Sequence, residues 1–270
     1  MRQRVEKLAR DAVLVEDAAL IRMMGMPVLE VVPSRGAPYE RTDPFILVHE
    51  GRFRLSELSG KDTKHPHRGF DNLWYVLQGS ASTGHSTGPG GAMERAHLSE
   101  GALLALRTGR GAWHAEALGA DEVEEGLGDA EFRSVLVQPG PEGQGRRTDR
   151  AGVTARTDPG AARGRRDCSG PGRRGLSGAS GHAGADPGRR VARGRAGHDP
   201  GAARVPGLRL PARGSGRLRD QLAPARPPQL VLLGPGEDLT VTDAAPGTRF
   251  LLMTGKPYGE APVFDGPFVD

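Results

Sequence analysis

Lys64-His-Pro-His-Arg-Gly-Phe70 and Trp113-His-Ala-Glu116 are the two stretches that decide the fold, because each places two metal-ligating side chains two residues apart. Alternate residues of a β-strand project from the same face, so each stretch would present a pair of ligands toward one side of a sheet. Two such strands facing each other across a barrel would bring all the ligands to one point. The candidate metal ligands are His65, His67, His114 and Glu116.

Short apolar runs rich in β-branched and aromatic residues surround these stretches, namely Pro44-Phe-Ile-Leu-Val48, Leu73-Trp-Tyr-Val-Leu77 and Ser134-Val-Leu-Val137. Gly-rich clusters at 88–91 and 109–111 lie between them and are typical of turns. Many short strands joined by such turns indicate a sandwich or a barrel. The sequence therefore predicts an all-β protein.

Three imidazoles and one carboxylate suit Fe(II), Mn(II), Ni(II), Cu(II) or Zn(II) better than Mg(II) or Ca(II), which prefer oxygen ligands. We expect one divalent metal ion, with Fe(II) the first choice. Each ligand taken alone has a plainer explanation: a solvated His-Pro-His turn, a core histidine at His114 and a solvated carboxylate at Glu116. The presence of two such pairs in the one region with strand periodicity favours the metal site.

The segment 139–229 has an unusual composition, dominated by Gly, Ala, Arg and Pro. From 146 to 226 it contains no Lys, Glu, Ile, Phe, Tyr, Trp, Met or Asn, so it has little apolar surface to offset the entropy of ordering. A disordered linker and an RNA-binding Arg/Gly tail are two explanations. A third is that G+C-rich codons are translated in the wrong frame here, which yields this set of amino acids. We predict that the segment is frameshifted or disordered.

The basic charge of the chain is confined to this segment. Residues 146–226 carry 19 Arg against 6 acidic residues, a net charge of +13, although the whole chain has a net charge of only +4. Nucleic acid is therefore not an expected partner. The charged opening segment 1–19 does not resemble a signal peptide or an anchor, so no membrane partner is expected and a cytoplasmic location is predicted. The single cysteine, Cys168, has no role assigned.

Strand periodicity returns near the end of the chain, in Leu230–Leu233, Leu239–Thr242 and Arg249–Met253. Near its beginning, Val5–Leu14 is expected to form a turn or two of helix. The predicted organisation is an N-terminal metal-binding domain at 1–138, the doubtful segment at 139–229, and the remnant of a C-terminal domain at 230–270.

The motifs resemble those of the pirin family. Pirins carry a Pro-His-Pro-His-Arg-Gly-Phe-Glu-Thr type motif, a Tyr-Val-Leu-Glu-Gly strand, and a Gly-Arg-Gly turn leading into His-Ala-Glu or His-Ser-Glu. The corresponding stretches here are Lys64–Phe70, Tyr75-Val-Leu-Gln-Gly79 and Thr108-Gly-Arg-Gly-Ala-Trp-His-Ala-Glu116. Further similar stretches are Thr42-Asp-Pro-Phe-Ile-Leu47, Arg249–Pro257 and Asp265-Gly-Pro-Phe-Val269. The resemblance covers about 19–138 and 230–270.

This resemblance implies a bicupin, a pair of cupin double-stranded β-helix domains, with the N-terminal cupin intact and the C-terminal cupin largely disrupted. The family's four iron ligands would fall on His65, His67, His114 and Glu116. The implied activity is that of a quercetin 2,3-dioxygenase, in which a flavonol-like aromatic substrate and O2 react and the heterocycle opens. Glu116 would accept the proton of the substrate hydroxyl. A monomer is expected.

Two alternatives remain at this point: an iron-dependent, redox-sensing module that binds a transcription-related protein partner, and a frameshifted product without function. The chain also departs from the family. Phe70 is followed by Asp71-Asn72 instead of Glu-Thr, and Leu104-Ala-Leu106 replaces a Gln-Trp-Met strand. These changes leave the expected ligands in place but affect the pocket shape. His85 and His97 have no family counterpart, and both are expected at the surface.

Overall fold

The computed structural model describes residues 11–23, 25–54, 63–86, 93–109, 111–115, 131–139, 152–157, 177–182, 192–195, 207–213, 217–218, 225, 227–236, 238–242, 248–265 and 268–269. Glu116 and Cys168 lie outside these ranges, as do Arg110 and the Gly-rich cluster at 88–91. The chain divides into two compact units, which are described separately. One, the histidine unit, comprises Leu20–Glu30, Phe45–Pro171 and Glu260–Asp270, and the other, the second unit, comprises Met1–Ala19, Val31–Pro44 and Gly172–Gly259.

The histidine unit is built on two antiparallel sheets. The larger has the strand order β12-β9-β6-β11-β4-β3-β2 and is formed by β2 (Ala19–Met23), β3 (Met26–Val32), β4 (Phe45–Arg54), β6 (Asp71–Gln78), β9 (Ala102–Arg107), β11 (Glu131–Pro139) and β12 (Gly152–Thr157). The smaller has the order β5-β10-β7-β8 and is formed by β5 (His65–His67), β7 (Ser80–Ser86), β8 (Glu94–Ser99) and β10 (Ala112–Ala115). A short hairpin of β20 (Phe264–Asp265) and β21 (Phe268–Val269) completes the unit.

The core of this unit takes side chains from both sheets. Burial alternates along β6, where Trp74 and Val76 are buried and Leu73 and Tyr75 are only partly so. This period of two is the expected consequence of strand geometry. One buried cluster joins the two sheets and consists of Met26, Val28, Trp74, Val76, Leu98, Ala102 and Leu104.

The second unit also contains two sheets. The five-stranded sheet has the order β1-β17-β15-β19-β13 and is formed by β1 (Ala12–Asp17), β13 (Ser177–His182), β15 (Gly207–Arg213), β17 (Gln229–Leu233) and β19 (Arg249–Thr254). The three-stranded sheet is formed by β14 (Ala192–Arg195), β16 (Arg217–Leu218) and β18 (Asp238–Thr242). The helix α1 (Tyr39–Thr42) belongs to this unit. Its buried cluster comprises Ala225, Val231, Leu233, Val241, Phe250 and Leu252.

The all-β prediction is confirmed, and each predicted strand lies within or overlaps an observed one. The helix predicted at Val5–Leu14 is wrong where it can be compared, because Ala12–Asp17 is the strand β1, paired with β17. Pairing with a distant strand overrides the local helical preference.

Within 139–229 the structure describes the backbone of five short strands, β12 to β16. The predicted boundaries at 138 and 229, and the frameshift, stay predictions. The helix α1 has four residues, and the described part of the chain contains no helix that is long and apolar enough to span a membrane.

A reciprocal pair of hydrogen bonds joins Phe70, in the turn between β5 and β6, to Thr108, in the turn between β9 and β10. The amide of Phe70 donates to Thr108 Oγ1 over 3.3 Å, and the Thr108 hydroxyl donates to the carbonyl of Phe70. Beside this pair, the Gly69 amide donates to the Gly109 carbonyl over 3.2 Å. Gly69 has φ of +89°, a backbone conformation that favours glycine. The turn after the first motif is therefore joined to the turn before the second.

A second polar pair, a buried histidine beside a partly buried glutamate, lies on the larger sheet of the histidine unit. His49 on β4 is 4% exposed, and its Nε2 lies 3.3 Å from Oε2 of Glu30 on β3. Burial lowers the pKa of His49, although the hydrogen bond and the charge of Glu30 act in the opposite direction. The folded chain therefore favours the neutral imidazole.

Replacing Thr108 with Val is expected to destabilise the chain by about 2–4 kcal/mol, because the buried amide and carbonyl of Phe70 would each lose a hydrogen bond. Thr108 is fully buried and Val has nearly the same shape, so the change removes little packing. Urea unfolding measures the effect. Thr108→Ser is the control, since it keeps the hydroxyl. A Val variant as stable as the Ser variant would contradict the role of this pair.

Acid is expected to destabilise the fold through His49. Its folded-state pKa lies below the unfolded value of about 6.5, so the unfolded chain binds more protons between these two values. Stability is then complete above about pH 6.5 and falls as the pH drops below it. In His49→Gln the slope of unfolding free energy against pH should become shallower by up to about 1.4 kcal/mol per pH unit. Urea titrations across this range test it, with the exposed His97→Gln as control. An unchanged slope in His49→Gln would refute the expectation.

Candidate metal centre

His65 and His67 project from the same face of β5, as the spacing predicts. Their ring centroids lie 4.5 Å apart with the rings nearly perpendicular, at 87°. His67 is buried at 6% exposure, and His65 is partly buried. The first predicted pair of ligands is therefore a pair of neighbouring imidazoles.

His114 joins this pair from β10, the strand beside β5. The strands pair antiparallel and place His114 directly opposite His65. The His114 ring centroid lies 5.5 Å from that of His65 and 5.9 Å from that of His67. An imidazole nitrogen sits about 2.1 Å from a bound metal, which places the centroids of two ligating rings roughly 4.5–5.5 Å apart. The spacing of the three rings is close to that range.

Hydrogen bonds set the orientation of two of these rings. His65 Nδ1 donates to the Thr63 carbonyl over 2.7 Å, which leaves its Nε2 with a lone pair. The Thr83 hydroxyl donates to the Ala115 carbonyl over 2.7 Å, so its oxygen is an acceptor for Nδ1 of His114, 3.5 Å away. Metal-ligating histidines commonly donate their other ring N–H to a carbonyl or similar acceptor. Both rings thus offer Nε2.

His114 is favoured in the neutral form that ligates metals. Its pKa is held well below the usual value by burial first, and then by the nearby imidazoles of His65, His67 and His85. The ring is 2% exposed, so a positive charge there would be poorly solvated.

Aromatic side chains form apolar walls beside the imidazoles. The centroid of Trp74 lies 6.0 Å from that of His114, and the centroid of Phe70 lies 5.0 Å from that of His67. Both aromatic residues are buried. An apolar surround of this kind limits solvent access to a site and strengthens electrostatic interactions within it.

The structure thus brings together three of the four predicted ligands. Glu116, the fourth, follows β10 directly and lies outside the described residues. As they stand, the described His, Cys, Asp and Glu side chains form no group of three or more that could hold a metal ion. The donor types, the tautomers and the ring spacing fit a divalent metal, whereas the donor atoms do not converge on one position. Metal binding therefore stays a prediction.

His85 is not at the surface, which corrects the expectation from the sequence. It lies on β7, directly opposite His114, and is 5% exposed. Its position beside the other histidines results from the pairing of β7 with β10, for which the local sequence carries no signal. His97, by contrast, is exposed, as expected.

No protein-family model and no curated protein sequence matches the chain. Solved structures do match it over most of its length. GK1651 from Geobacillus kaustophilus has a TM-score of 0.63 at 18% identity, covering 95% of this chain and 100% of that one. A quercetin 2,3-dioxygenase from Acinetobacter baumannii has a TM-score of 0.63 at 17% identity, covering 97% and 92%.

The bacterial pirin YhhW from Escherichia coli, in complex with nickel(II), has a TM-score of 0.61 at 12% identity, covering 90% of this chain and 99% of that one. Similarity at such low identity is informative about the fold and not about the activity. These neighbours and the nearly all-strand architecture agree with the resemblance found in the motifs. The chain has a pirin-like, cupin-type fold.

Proposed function

We propose that this chain is a pirin-like metal-binding cupin that acts as an oxygenase of the quercetin 2,3-dioxygenase type. The observation that carries the proposal is the grouping of His65, His67 and His114 on one face of the smaller sheet, with ring centroids 4.5–5.9 Å apart. One buried imidazole has many ordinary explanations, but a group of three neighbouring imidazoles, two of them buried, is typical of a metal site.

The metal would be held by these three histidines and by Glu116. Fe(II) is the proposed ion, and Mn(II), Ni(II), Cu(II) and Zn(II) are compatible with the same donor set. A structural neighbour, the bacterial pirin YhhW, is described in complex with nickel(II). In this chain, the carbonyl of Thr63 and the hydroxyl of Thr83 would hold two of the imidazoles in the ligating tautomer.

The proposed substrate is a flavonol-like aromatic molecule, which reacts with O2 so that its heterocycle opens. When bound, the metal would supply a Lewis acid for a substrate hydroxyl and a position for oxygen. Glu116 is proposed to accept the proton of that hydroxyl. Trp74 and Phe70 would exclude water from the imidazoles. Support for this substrate class comes from a neighbour named quercetin 2,3-dioxygenase. A monomeric state and a cytoplasmic location are part of the same proposal.

The purified chain is expected to bind one divalent ion, and His114→Ala should weaken that binding by at least about tenfold, because the most buried of the three imidazoles is lost. Calorimetric titration with Ni(II) and metal analysis of Fe(II)-loaded protein measure this. The exposed His97→Ala is the matched control. Equal binding by the wild type and His114→Ala would refute the metal centre.

Oxygen uptake with quercetin separates the oxygenase from the rival function, a redox-sensing module that binds a protein partner. The Fe(II)-loaded wild type should consume oxygen, and His65→Ala should show only background uptake, because it lacks one proposed ligand. Full metal occupancy without uptake above that background would exclude the oxygenase proposal and favour the module.

Glu116→Gln is expected to lower turnover by about 100-fold or more at equal metal occupancy, since an amide cannot accept the substrate proton. Turnover per bound metal ion is the measurement, so that a loss of metal is not mistaken for a loss of catalysis. Unchanged turnover at full occupancy would remove Glu116 from this role.

A further inference from the structure

A buried amide lies in the same wall as the two aromatic rings beside the histidines. The ring centroid of Phe70 lies 5.0 Å from that of His67, and the centroid of Trp74 lies 6.0 Å from that of His114. Asn72 is midway between the two aromatic residues in the chain. Burial alternates along β6, and both Asn72 and Trp74 are buried, so their side chains project from the same face of that strand. This face carries the core that joins the two sheets, so Asn72 faces the interior of the histidine unit.

Asn72 lacks a hydrogen bond that a buried amide normally makes. The residue is 3% exposed, and its Oδ1 is buried without a hydrogen-bond partner among the described residues. Most buried polar side-chain atoms have a partner, because burial removes the hydrogen bonds that they would make with water. A bound molecule that donates a hydrogen bond at this position would supply the missing partner.

The position of Asn72 distinguishes it from other buried polar residues. Atoms without a hydrogen-bond partner among the described residues also occur at Ser86 and His49. Ser86 pairs with Trp113, so it lies on the face of the smaller sheet opposite the ligating histidines. His49 is separated from the strand of Trp74 by β11. Asn72 combines an unpartnered oxygen with a place between the two rings beside the histidines.

The sequence also departs from the pirin motif at this position. After Phe70, Asp71-Asn72 replaces the Glu-Thr of the motif, so an asparagine stands in place of a threonine. A threonine hydroxyl offers one donor, whereas the asparagine amide offers two donors and a carbonyl acceptor and extends one bond further from Cα. The replacement therefore changes the hydrogen bonding of the wall and leaves the histidines in place.

We propose that Asn72 is a specificity-determining residue, which hydrogen-bonds a second oxygen substituent of the aromatic substrate in addition to the hydroxyl that reacts. This inference rests on the proposed function and narrows its substrate class to flavonols that carry further ring hydroxyl groups. A phenolic O–H of such a substrate donates to Oδ1. An analogue without that hydroxyl leaves the buried oxygen unpaired, and a site built for a substrate hydroxyl discriminates against such analogues.

The test compares two flavonols that differ in their ring hydroxyls. Quercetin carries additional hydroxyl groups, and 3-hydroxyflavone carries only the one that reacts. Calorimetric titration of the Fe(II)-loaded full chain, without oxygen so that no substrate is consumed, measures both affinities. Asn72→Leu, which has nearly the same shape, is expected to weaken quercetin binding by about five- to tenfold and 3-hydroxyflavone binding by less than about twofold. Ser86→Ala is the matched control and should change neither affinity.

Urea unfolding of the substrate-free chain gives a second readout, which separates substrate binding from a structural role. If Asn72 serves the substrate, the midpoint for Asn72→Leu should be equal to or higher than that of the wild type, because an unpaired buried polar group is removed. Asn72→Thr, which restores the residue of the family motif, covers the case in which the Leu variant does not fold. Its shorter hydroxyl should weaken quercetin binding by at least about threefold.

The outcomes separate this inference from the proposed function. If the wild type binds both flavonols and the Asn72 variants bind quercetin with wild-type affinity, the role of Asn72 is overturned and the proposed function stands. An equal loss for the two flavonols, or a lower unfolding midpoint with unchanged affinities, overturns it as well. If the wild type binds neither flavonol, the proposed oxygenase function is overturned, and the role of Asn72 with it.

Discussion

The reciprocal hydrogen bonds between Thr108 and Phe70 are the constraint on which the histidine unit depends. They join residues 38 positions apart in the sequence, one in the turn that follows β5 and the other in the turn that precedes β10. Because β5 has only three residues, its own ladder with β10 is too short to fix the pairing firmly. A slip of one residue would turn His114 to the opposite face of the sheet. The Thr108–Phe70 pair and the adjoining ladder of β6 with β9 oppose that slip.

Once this pairing is set, the chemistry of the inner face follows from burial. Imidazoles from adjacent strands are forced close together, and the aromatic rings of Trp74 and Phe70 limit the water that reaches them. The neutral form of the His114 ring is then favoured, because burial and the neighbouring imidazoles lower its pKa. Neutral imidazoles with oriented lone pairs are what a divalent metal requires. The proposed oxygenase function uses this property and adds Glu116, which follows β10 in the sequence.

Much of the fold was predictable because strand periodicity is a local property. The apolar runs around Ile46, Trp74 and Leu232 each became a buried strand. The prediction was wrong at Ala12–Leu14, where pairing with β17 replaces the expected helix. His85 was missed for a related reason: Thr83-Gly84-His85 resembles a polar surface turn in sequence, and only the neighbouring strands β10 and β8 show that its face is internal.

The sequence by itself determined the all-β class, the projection of His65 and His67 from the same face of one strand, and the family resemblance of the motifs. Each of these depends on residues that are close together in the chain. Only the tertiary structure decided that His114 approaches that pair, that Thr108 and Phe70 join the two motifs, and that His85 lies buried directly opposite His114. These contacts depend on which strands pair and in which register. Both are determined by burial and hydrogen bonding summed over whole sheets, which a local pattern does not contain.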